Sequence, residues 1–160
     1  IGDTLVYEWR MRIPTDSEID PQNRWWLLGQ WHDQPDVRIG EEWNGFPERS
    51  PSIGFGYGHL NGQDVVSMSY GAPEQRAIAH TPLSRDVWHN MRVVIHWSLG
   101  EDGWAQMFMD NMEVPFAEAA GRNMYNSYQH YWKLGMYRDR GIQVSSRIQL
   151  DDIRVYIAKD

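Results

Sequence analysis

Two short segments of the chain carry polar side chains at alternate positions, in sequences that are otherwise apolar. In the first, residues 25–32, Gln30 and His32 stand two positions apart. Residues two apart in an extended strand project from the same face, about 6.6 Å from each other. An amide donates hydrogen bonds to an anion, and histidine is the side chain that titrates nearest neutral pH. Gln30 and His32 therefore suit proton transfer beside an anionic group, although a solvated sheet face or a hydrogen-bonded core pair would also explain them.

The second segment, residues 131–137, shows a similar alternation. Tyr131, Lys133 and Tyr137 share one face, and three apolar residues occupy the other: Trp132, Leu134 and Met136. The chain has only two lysines, so Lys133 is not part of a general solubilising surface. A cation beside a tyrosine favours the ionised phenol, which makes Tyr137 a candidate base with Lys133 as its cation. The alternative is an exposed polar face, with Gly135 marking a β-bulge.

The elements that must position these residues read as β-strands. From Leu5 to Ile13 apolar and polar residues alternate with a period of two, which is typical of a half-buried strand. Asn61-Gly62 lies between two such runs and indicates a two-residue hairpin turn. The predicted strands are Leu5–Ile13, Trp25–His32, Ser52–Leu60, Asp64–Tyr70, Trp88–Trp97, Trp104–Asp110, Tyr131–Tyr137 and Arg147–Ala158.

The segments between the strands are predicted to be wide loops. Residues 33–51 and 71–86 are the longest of these, and residues 115–129 are the only segment that suits a short helix. Seven or eight strands with wide loops predict an all-β sandwich or jelly roll, formed as a single domain by residues 1–160.

Composition narrows the classes of function. The 160 residues are 41% hydrophobic and 13% aromatic, which excludes a disordered chain. No run of 18 apolar residues exists, so a membrane span is excluded. The net charge of −7 argues against a nucleic-acid partner, and the lack of cysteine removes disulfides and cysteine nucleophiles. The chain begins at Ile1 without a signal-type apolar stretch, so we expect that processing or truncation has removed what preceded it.

Taken together, the motifs Gln30-x-His32 and Tyr131-x-Lys133-x-Gly135-x-Tyr137 resemble two strands of jelly-roll polysaccharide lyases, the group of glucuronan lyases, alginate lyases and heparin-lyase-I-like enzymes. The resemblance covers most of the chain, from Leu5 to Ala158. It implies a concanavalin-like β-jelly-roll sandwich of two antiparallel sheets. That family usually carries an earlier strand with an Arg-x-Glu pattern. Either the sequence begins after that strand, or this domain lacks it.

The resemblance implies an enzyme that cleaves a uronic-acid polymer by β-elimination, with no cofactor required for the chemistry. A base removes the proton at C5, the C4–O bond breaks, and an unsaturated sugar remains. The C5 proton is too weakly acidic unless hydrogen-bond donors neutralise the neighbouring carboxylate, and the amide of Gln30 suits that role. Tyr137 and His32 are candidates for the base and the acid. The predicted catalytic residues are therefore Gln30, His32 and Tyr137.

The stereochemistry of the sugar decides whether Tyr137 would act as both the base and the acid, or only as the acid with His32 as the base. In glucuronate and mannuronate the C5 proton and the C4 oxygen lie on the same face of the ring, so Tyr137 could serve alone. In guluronate and iduronate they lie on opposite faces, and His32 would act as base with Tyr137 as acid. We favour the first case, a glucuronan-like or mannuronate-rich substrate.

Four further residues are predicted to bind substrate. Lys133 and Tyr131 accompany the catalytic residues, and Arg10 and Arg12 on the polar face of the first strand match the carboxylates of flanking sugars. Ordinary solvent exposure would explain both arginines equally well. No catalytic metal is predicted. Asp151-Asp152 and Glu101-Asp102 are candidate loop ligands for a structural Ca²⁺, or plain surface acids.

Other classes of function fit less well. A retaining glycoside hydrolase needs two carboxylates about 5–5.5 Å apart, and Glu18-Ile19-Asp20 lies in a predicted loop. The main alternative is a non-catalytic carbohydrate-binding module of the same fold, which would not need Gln30, His32 and Tyr137 in one place. We expect an acidic polysaccharide as partner, no nucleic acid or membrane, a monomeric state, and a secreted or periplasmic location.

Overall fold

The computed structural model describes residues 2–44, 46, 49 and 51–158, and over these residues the chain is almost entirely β. One short 3₁₀ turn, Val37–Ile39, follows the second strand. No helix within this described part is long and apolar enough to cross a membrane. The strands are β1 Thr4–Arg12, β2 Trp26–His32, β3 Ile53–Leu60, β4 Gln63–Tyr70, β5 Arg76–Pro82, β6 His89–His96, β7 Trp104–Met109, β8 Ala117–Ala120, β9 Tyr131–Arg138 and β10 Gln149–Ile157.

The strands form two five-stranded sheets. The first has the order β10-β1-β6-β7-β8 and the second the order β5-β4-β3-β2-β9. Neighbouring strands are antiparallel in both sheets. This architecture confirms the predicted jelly-roll sandwich. It also makes β2 and β9, which carry the two polar motifs, hydrogen-bonded neighbours at one side of the second sheet.

Aromatic side chains from the inner faces of the two sheets fill the core. On β1, Tyr7 and Trp9 point inward and are buried, as the alternation predicts. The ring of Tyr7 lies 5.2 Å from that of Trp31 on β2, and the ring of Trp9 lies 5.5 Å from that of Phe55 on β3. Offset and edge-on aromatic contacts add to the energy of burial itself, so these pairs hold β2 and β3 firmly against the first sheet.

Two strands escaped the sequence prediction. β5 lies within residues 71–86, which were expected to be a loop, and β8 lies within residues 115–129, the segment that suited a short helix. Alanine favours helices in isolation, but pairing of β8 along β7 overrides that preference. The predicted loop 33–51 contains the 3₁₀ turn, and its residues 45, 47, 48 and 50 lie outside the described residues.

Candidate active site

Pairing of β2 with β9 brings the two polar motifs side by side. Gln30 lies directly opposite Lys133, and His32 lies opposite Tyr131. A cavity of about 470 Å³ opens over these strands. Its lining is Leu27, Gly29, Gln30, His32, Lys133, Leu134, Gly135, Met136 and Tyr137. Four of the predicted site residues thus share one cavity, and Tyr131 lies at its edge beside His32.

A β-bulge in β2 changes which face Gln30 and His32 occupy. The alternation places them on the face of Trp26 and Leu28, but the register of β2 shifts between Leu27 and Gly29. Trp26 and Leu28 point into the core, as does Trp31 beyond the bulge. The prediction that Gln30 and His32 share a face with Trp26 and Leu28 is therefore wrong. The bulge turns Gln30 and His32 outward, into the cavity.

Gly135 creates a matching irregularity in β9. Its φ of +137° lies in a region that side chains rarely adopt, so this position favours glycine. Leu27 and Gly29, which pair with Tyr137 and Leu134, are two steps apart on β2, while Leu134 and Tyr137 are three steps apart on β9. The β-bulge that the sequence offered as an explanation for Gly135 is present, and it keeps Tyr137 on the cavity side.

Gln30 sits at the centre of the cavity with its side chain unengaged. The residue is only 5% exposed, yet its amide forms no hydrogen bond with any described residue. None of its side-chain atoms is among the fully buried atoms that lack a partner, so the amide is accessible from the cavity. The Gln30 amide is thus available to an anionic group that enters the cavity.

His32 is held in one tautomer by its own neighbour. Its Nδ1 donates a hydrogen bond to the backbone carbonyl of Asp33 at 2.6 Å, and a carbonyl can only accept, so Nδ1 carries the proton. Burial lowers the pKa of His32 below its ordinary value; the hydrogen bond to Asp33 opposes this, and the charge of Lys133 adds to it. His32 is therefore neutral at neutral pH, and its Nε2 lone pair is left as an acceptor.

Lys133 supplies the positive charge of the cavity. Among the described residues that line the cavity, it is the one with a formal charge, and it forms no ion pair with a carboxylate of the described residues. Its Nζ lies 5.1 Å from the centre of the Tyr131 ring, whose other contact is a stack with His32 at 5.1 Å. Because no carboxylate of the described residues neutralises this cation, it remains available to bind an incoming carboxylate.

Tyr137 occupies the opposite end of the cavity from His32. It pairs with Leu27 across the sheet and is 58% exposed. Its ring lies 5.1 Å from that of Trp25, which is 48% exposed. Trp25 was not predicted as a site residue, since nothing in its spacing distinguishes it from the core tryptophans.

A buried ionic cluster fixes the loop that follows β2. Arg49 donates to Asp33 at 2.5 Å and to Glu41 at 2.6 Å, and Glu41 also accepts from the Asn126 side chain at 2.8 Å. The loop carries Trp43, whose ring lies 6.4 Å from that of His32. The cluster therefore holds an aromatic wall against the His32 end of the cavity.

The arginines predicted to hold flanking carboxylates lie elsewhere. Arg10 and Arg12 are on the outer face of β1 in the first sheet, across the core from the cavity. Arg10 is 3.6 Å from Asp152, and Arg12 donates to Asp86 at 2.7 Å. The substrate-binding role expected for Arg10 and Arg12 in this groove is therefore wrong, because the strand that carries them joins the other sheet.

The acidic pairs offered as calcium ligands do not form a cluster. Over the described residues, no three acidic, histidine or cysteine side chains come together in a way that could hold a metal ion. Asp102 accepts from the Ser98 hydroxyl at 2.5 Å, and Asp152 faces Arg10. One acid of each pair, Asp102 or Asp152, therefore already has a protein side chain as its partner.

Comparison of the sequence with known families supplies the assignment. A sequence model described as polysaccharide lyase matches residues 1–154. The chain belongs to the polysaccharide lyase family. The family match confirms the resemblance drawn from the two motifs and makes the protein a lyase. No curated protein sequence matches this chain significantly.

Solved structures share the fold of this polysaccharide lyase at low sequence identity. An endo-β-1,4-glucuronan lyase from the fungus Trichoderma reesei is 17% identical, with a TM-score of 0.63 over 96% of this chain and 68% of its own. A mutant of the alginate lyase Aly36B in complex with an alginate tetrasaccharide is 12% identical, with a TM-score of 0.63 over 96% and 69%. A glycoside hydrolase family 131 catalytic domain from Coprinopsis cinerea is 10% identical, with a TM-score of 0.58 over 97% and 56%. Since a hydrolase shares the fold, the reaction must be argued from the cavity.

Proposed function

We propose that this lyase cleaves a uronic-acid-containing polysaccharide, glucuronan-like or alginate-like, by β-elimination in the cavity between β2 and β9. The observation that carries the proposal is the pairing of Gln30 with Lys133. One is an unengaged amide and the other a cation without an acidic partner in the described structure. Together they suit a single carboxylate, which is the group that must be neutralised before the C5 proton can leave.

Tyr137 and His32 are the two candidates for the proton transfers. In the favoured reaction on glucuronate or mannuronate, Tyr137 takes the C5 proton and returns a proton to the C4 oxygen as the C4–O bond breaks. The electron pair of the C5–H bond becomes the C4=C5 double bond of the new non-reducing end. On guluronate or iduronate, the Nε2 lone pair of His32 takes the C5 proton and Tyr137 protonates the leaving oxygen.

The proposed elimination does not need the pair of carboxylates that a retaining glycoside hydrolase requires. Among the described residues that line the cavity there is no aspartate or glutamate. A polymer of this kind is met outside the cell, so we also propose a secreted or periplasmic location.

The proposal is tested by offering the protein glucuronan, mannuronate-rich alginate and guluronate-rich alginate. Ultraviolet absorbance of the C4=C5 bond follows elimination, and calorimetry with short oligosaccharides measures binding. We expect absorbance to rise on at least one polymer, with the largest rate on glucuronan or mannuronate-rich alginate. Saturable binding of an oligosaccharide with no absorbance change on any polymer would instead indicate the carbohydrate-binding module.

A further inference from the structure

The outer face of the second sheet continues beyond the cavity as a floor, to which β3 contributes glycines and β4 contributes serines. One register row crosses the strands as Tyr137, Leu27, Gly56, Ser67 and His80. Strands in a sheet are about 4.8 Å apart, so this row of five spans about 19 Å. The floor therefore leads from the cavity, across β3 and β4, to the edge strand β5.

Glycines in β3 leave room for serine hydroxyls from β4. A Cβ added at Gly54 would lie 2.5 Å from the Ser69 Oγ, and one added at Gly56 would lie 2.6 Å from the Ser67 Oγ. The Ser67 hydroxyl covers the backbone of Gly56 and lines the pocket beyond it, where it can exchange hydrogen bonds with the hydroxyls of a sugar. The Ser69 hydroxyl donates to the Gln75 side chain at 3.4 Å.

A second pocket, of about 380 Å³, lies at the far end of this floor. Trp25 forms one wall, and Ser67, Ile78 and His80 are among the residues that line it. Trp25 also touches Tyr137 of the first cavity. A single half-exposed indole therefore borders both spaces, and it presents an aromatic face of the kind on which sugar rings stack.

The charge of this second pocket differs from that of the first. Its arginine, Arg24, donates through Nε at 2.9 Å and through Nη2 at 2.6 Å to the two carboxylate oxygens of Asp20. The Asp20 carboxylate therefore offsets the positive charge of Arg24, and the pair as a whole offers no net charge to a uronate. No arginine or lysine in the described lining of this pocket is thus left for a uronate.

We propose that the second pocket is a subsite for an uncharged sugar, which stacks on Trp25 and hydrogen-bonds to Ser67. This inference rests on the proposed function, since it takes the first cavity as the site of the reacting uronate. It names the substrate more closely: a polysaccharide in which neutral sugars alternate with uronates is accepted at least as well as a pure polyuronate.

The test compares two tetrasaccharides by calorimetry, one of glucuronate alone and one in which glucuronate alternates with glucose. The proteins are the wild type, Trp25→Ala, Trp25→Phe and a control, Trp88→Ala, whose ring contacts Arg10 of the first sheet. We expect the wild type to bind the alternating tetrasaccharide at least as tightly as the other. Trp25→Ala should weaken its binding about 3- to 10-fold, Trp25→Phe should restore most of this, and Trp88→Ala should have no effect.

The subsite would be ruled out if Trp25→Ala left binding of the alternating tetrasaccharide unchanged. It would equally be ruled out if the wild type bound the pure uronate markedly more tightly, or bound neither. Elimination is followed in the same samples. Binding that depends on Trp25 without any unsaturated product would uphold the subsite while contradicting the lyase chemistry of the first cavity, so the two failures are distinguishable.

Discussion

The hydrogen bonding of His32 decides which proton transfers this residue can perform. With Nδ1 committed to the Asp33 carbonyl, neutral His32 offers only the lone pair of Nε2 and cannot donate to a carboxylate. Only the protonated ring could donate, and burial together with Lys133 disfavours it. At neutral pH the substrate carboxylate is therefore left to Gln30 and Lys133, and His32 is suited to act as a base.

Replacement of Lys133 by methionine should raise the pKa of His32. The lysine charge disfavours imidazolium, and its removal takes away that repulsion. An NMR titration of the His32 ring in the wild type and in Lys133→Met measures the effect directly, without need of activity. The wild-type midpoint should lie below pH ~6.5 and move upward in the variant. A midpoint that stays in place or falls would contradict the assigned electrostatics.

Replacement of Gln30 by leucine should separate folding from activity. The Gln30 amide has no hydrogen bond to lose within the described structure, so we expect the melting temperature to be preserved. Elimination should fall by roughly 10²–10³-fold, the usual effect of removing a donor that stabilises a developing anion. Thermal unfolding and kcat/KM on the best polymer provide the comparison, and undiminished turnover would remove Gln30 from the mechanism.

At the scale of strands, the sequence predicts where a strand lies better than which face of the sheet its side chains occupy. Period-two alternation predicts β2 and β9 to within a residue or two. It fails at Leu28, because a bulge breaks the period and its position depends on how β3 and β9 pair with β2. β5 was missed for a related reason, since its residues are small or polar on the groove side and its pairing with β4 is what orders it.

The glycine–serine floor offers a stability test of this packing. Gly56→Ala should lower the free energy of unfolding by about 1–3 kcal/mol, because the new Cβ would meet the Ser67 Oγ at 2.6 Å. Adding Ser67→Ala should recover most of the loss. Gly58→Ala is the matched control, because its nearest atom is 3.5 Å away. Denaturant unfolding of the four proteins checks this, and equal costs at Gly56 and Gly58 would refute the packing argument.

At the scale of the whole molecule, Arg85 joins parts of the chain far apart in sequence. It pairs with the buried Asp64 on β4, donates to the Tyr57 hydroxyl on β3 at 2.9 Å, and bonds the carbonyls of Thr15 and Ser17 in the loop before β2. This loop leads to Trp25 and the first residues of β2, so Arg85 ties β3 and β4 to the segment that precedes β2.

Replacement of Arg85 by methionine should therefore be strongly destabilising. It leaves the Asp64 carboxylate buried without its guanidinium, a change that typically costs about 3–5 kcal/mol. Denaturant unfolding provides the measurement, and Arg12→Met is a suitable control because the Arg12–Asp86 pair lies partly exposed on the other sheet. Similar small losses in both variants would show that Arg85 does not clamp the fold.

The wrong prediction for Arg10 and Arg12 shows that a single sequence does not determine which sheet a strand joins. Arg10 and Arg12 have the residue type and the alternation of a uronate-binding strand, and the strand itself was predicted correctly. Which sheet a strand joins is decided by long-range pairing, here of β1 with β6 and β10. The two polar motifs were the better guide to the position of the cavity, because a single strand pair, β2 with β9, holds their residues in register.

Tyr137→Phe tests the central claim most directly, because it removes one hydroxyl from an exposed side chain and leaves the ring against Trp25. The rate of unsaturated product formation is measured on a defined glucuronate oligosaccharide, with its binding constant and the melting temperature of the variant. A lost general acid or base costs ~10²–10⁴-fold, and a residue that fills both roles should reach or exceed the upper value. We predict that loss with binding and melting temperature nearly unchanged. Near-normal elimination by Tyr137→Phe would contradict the mechanism.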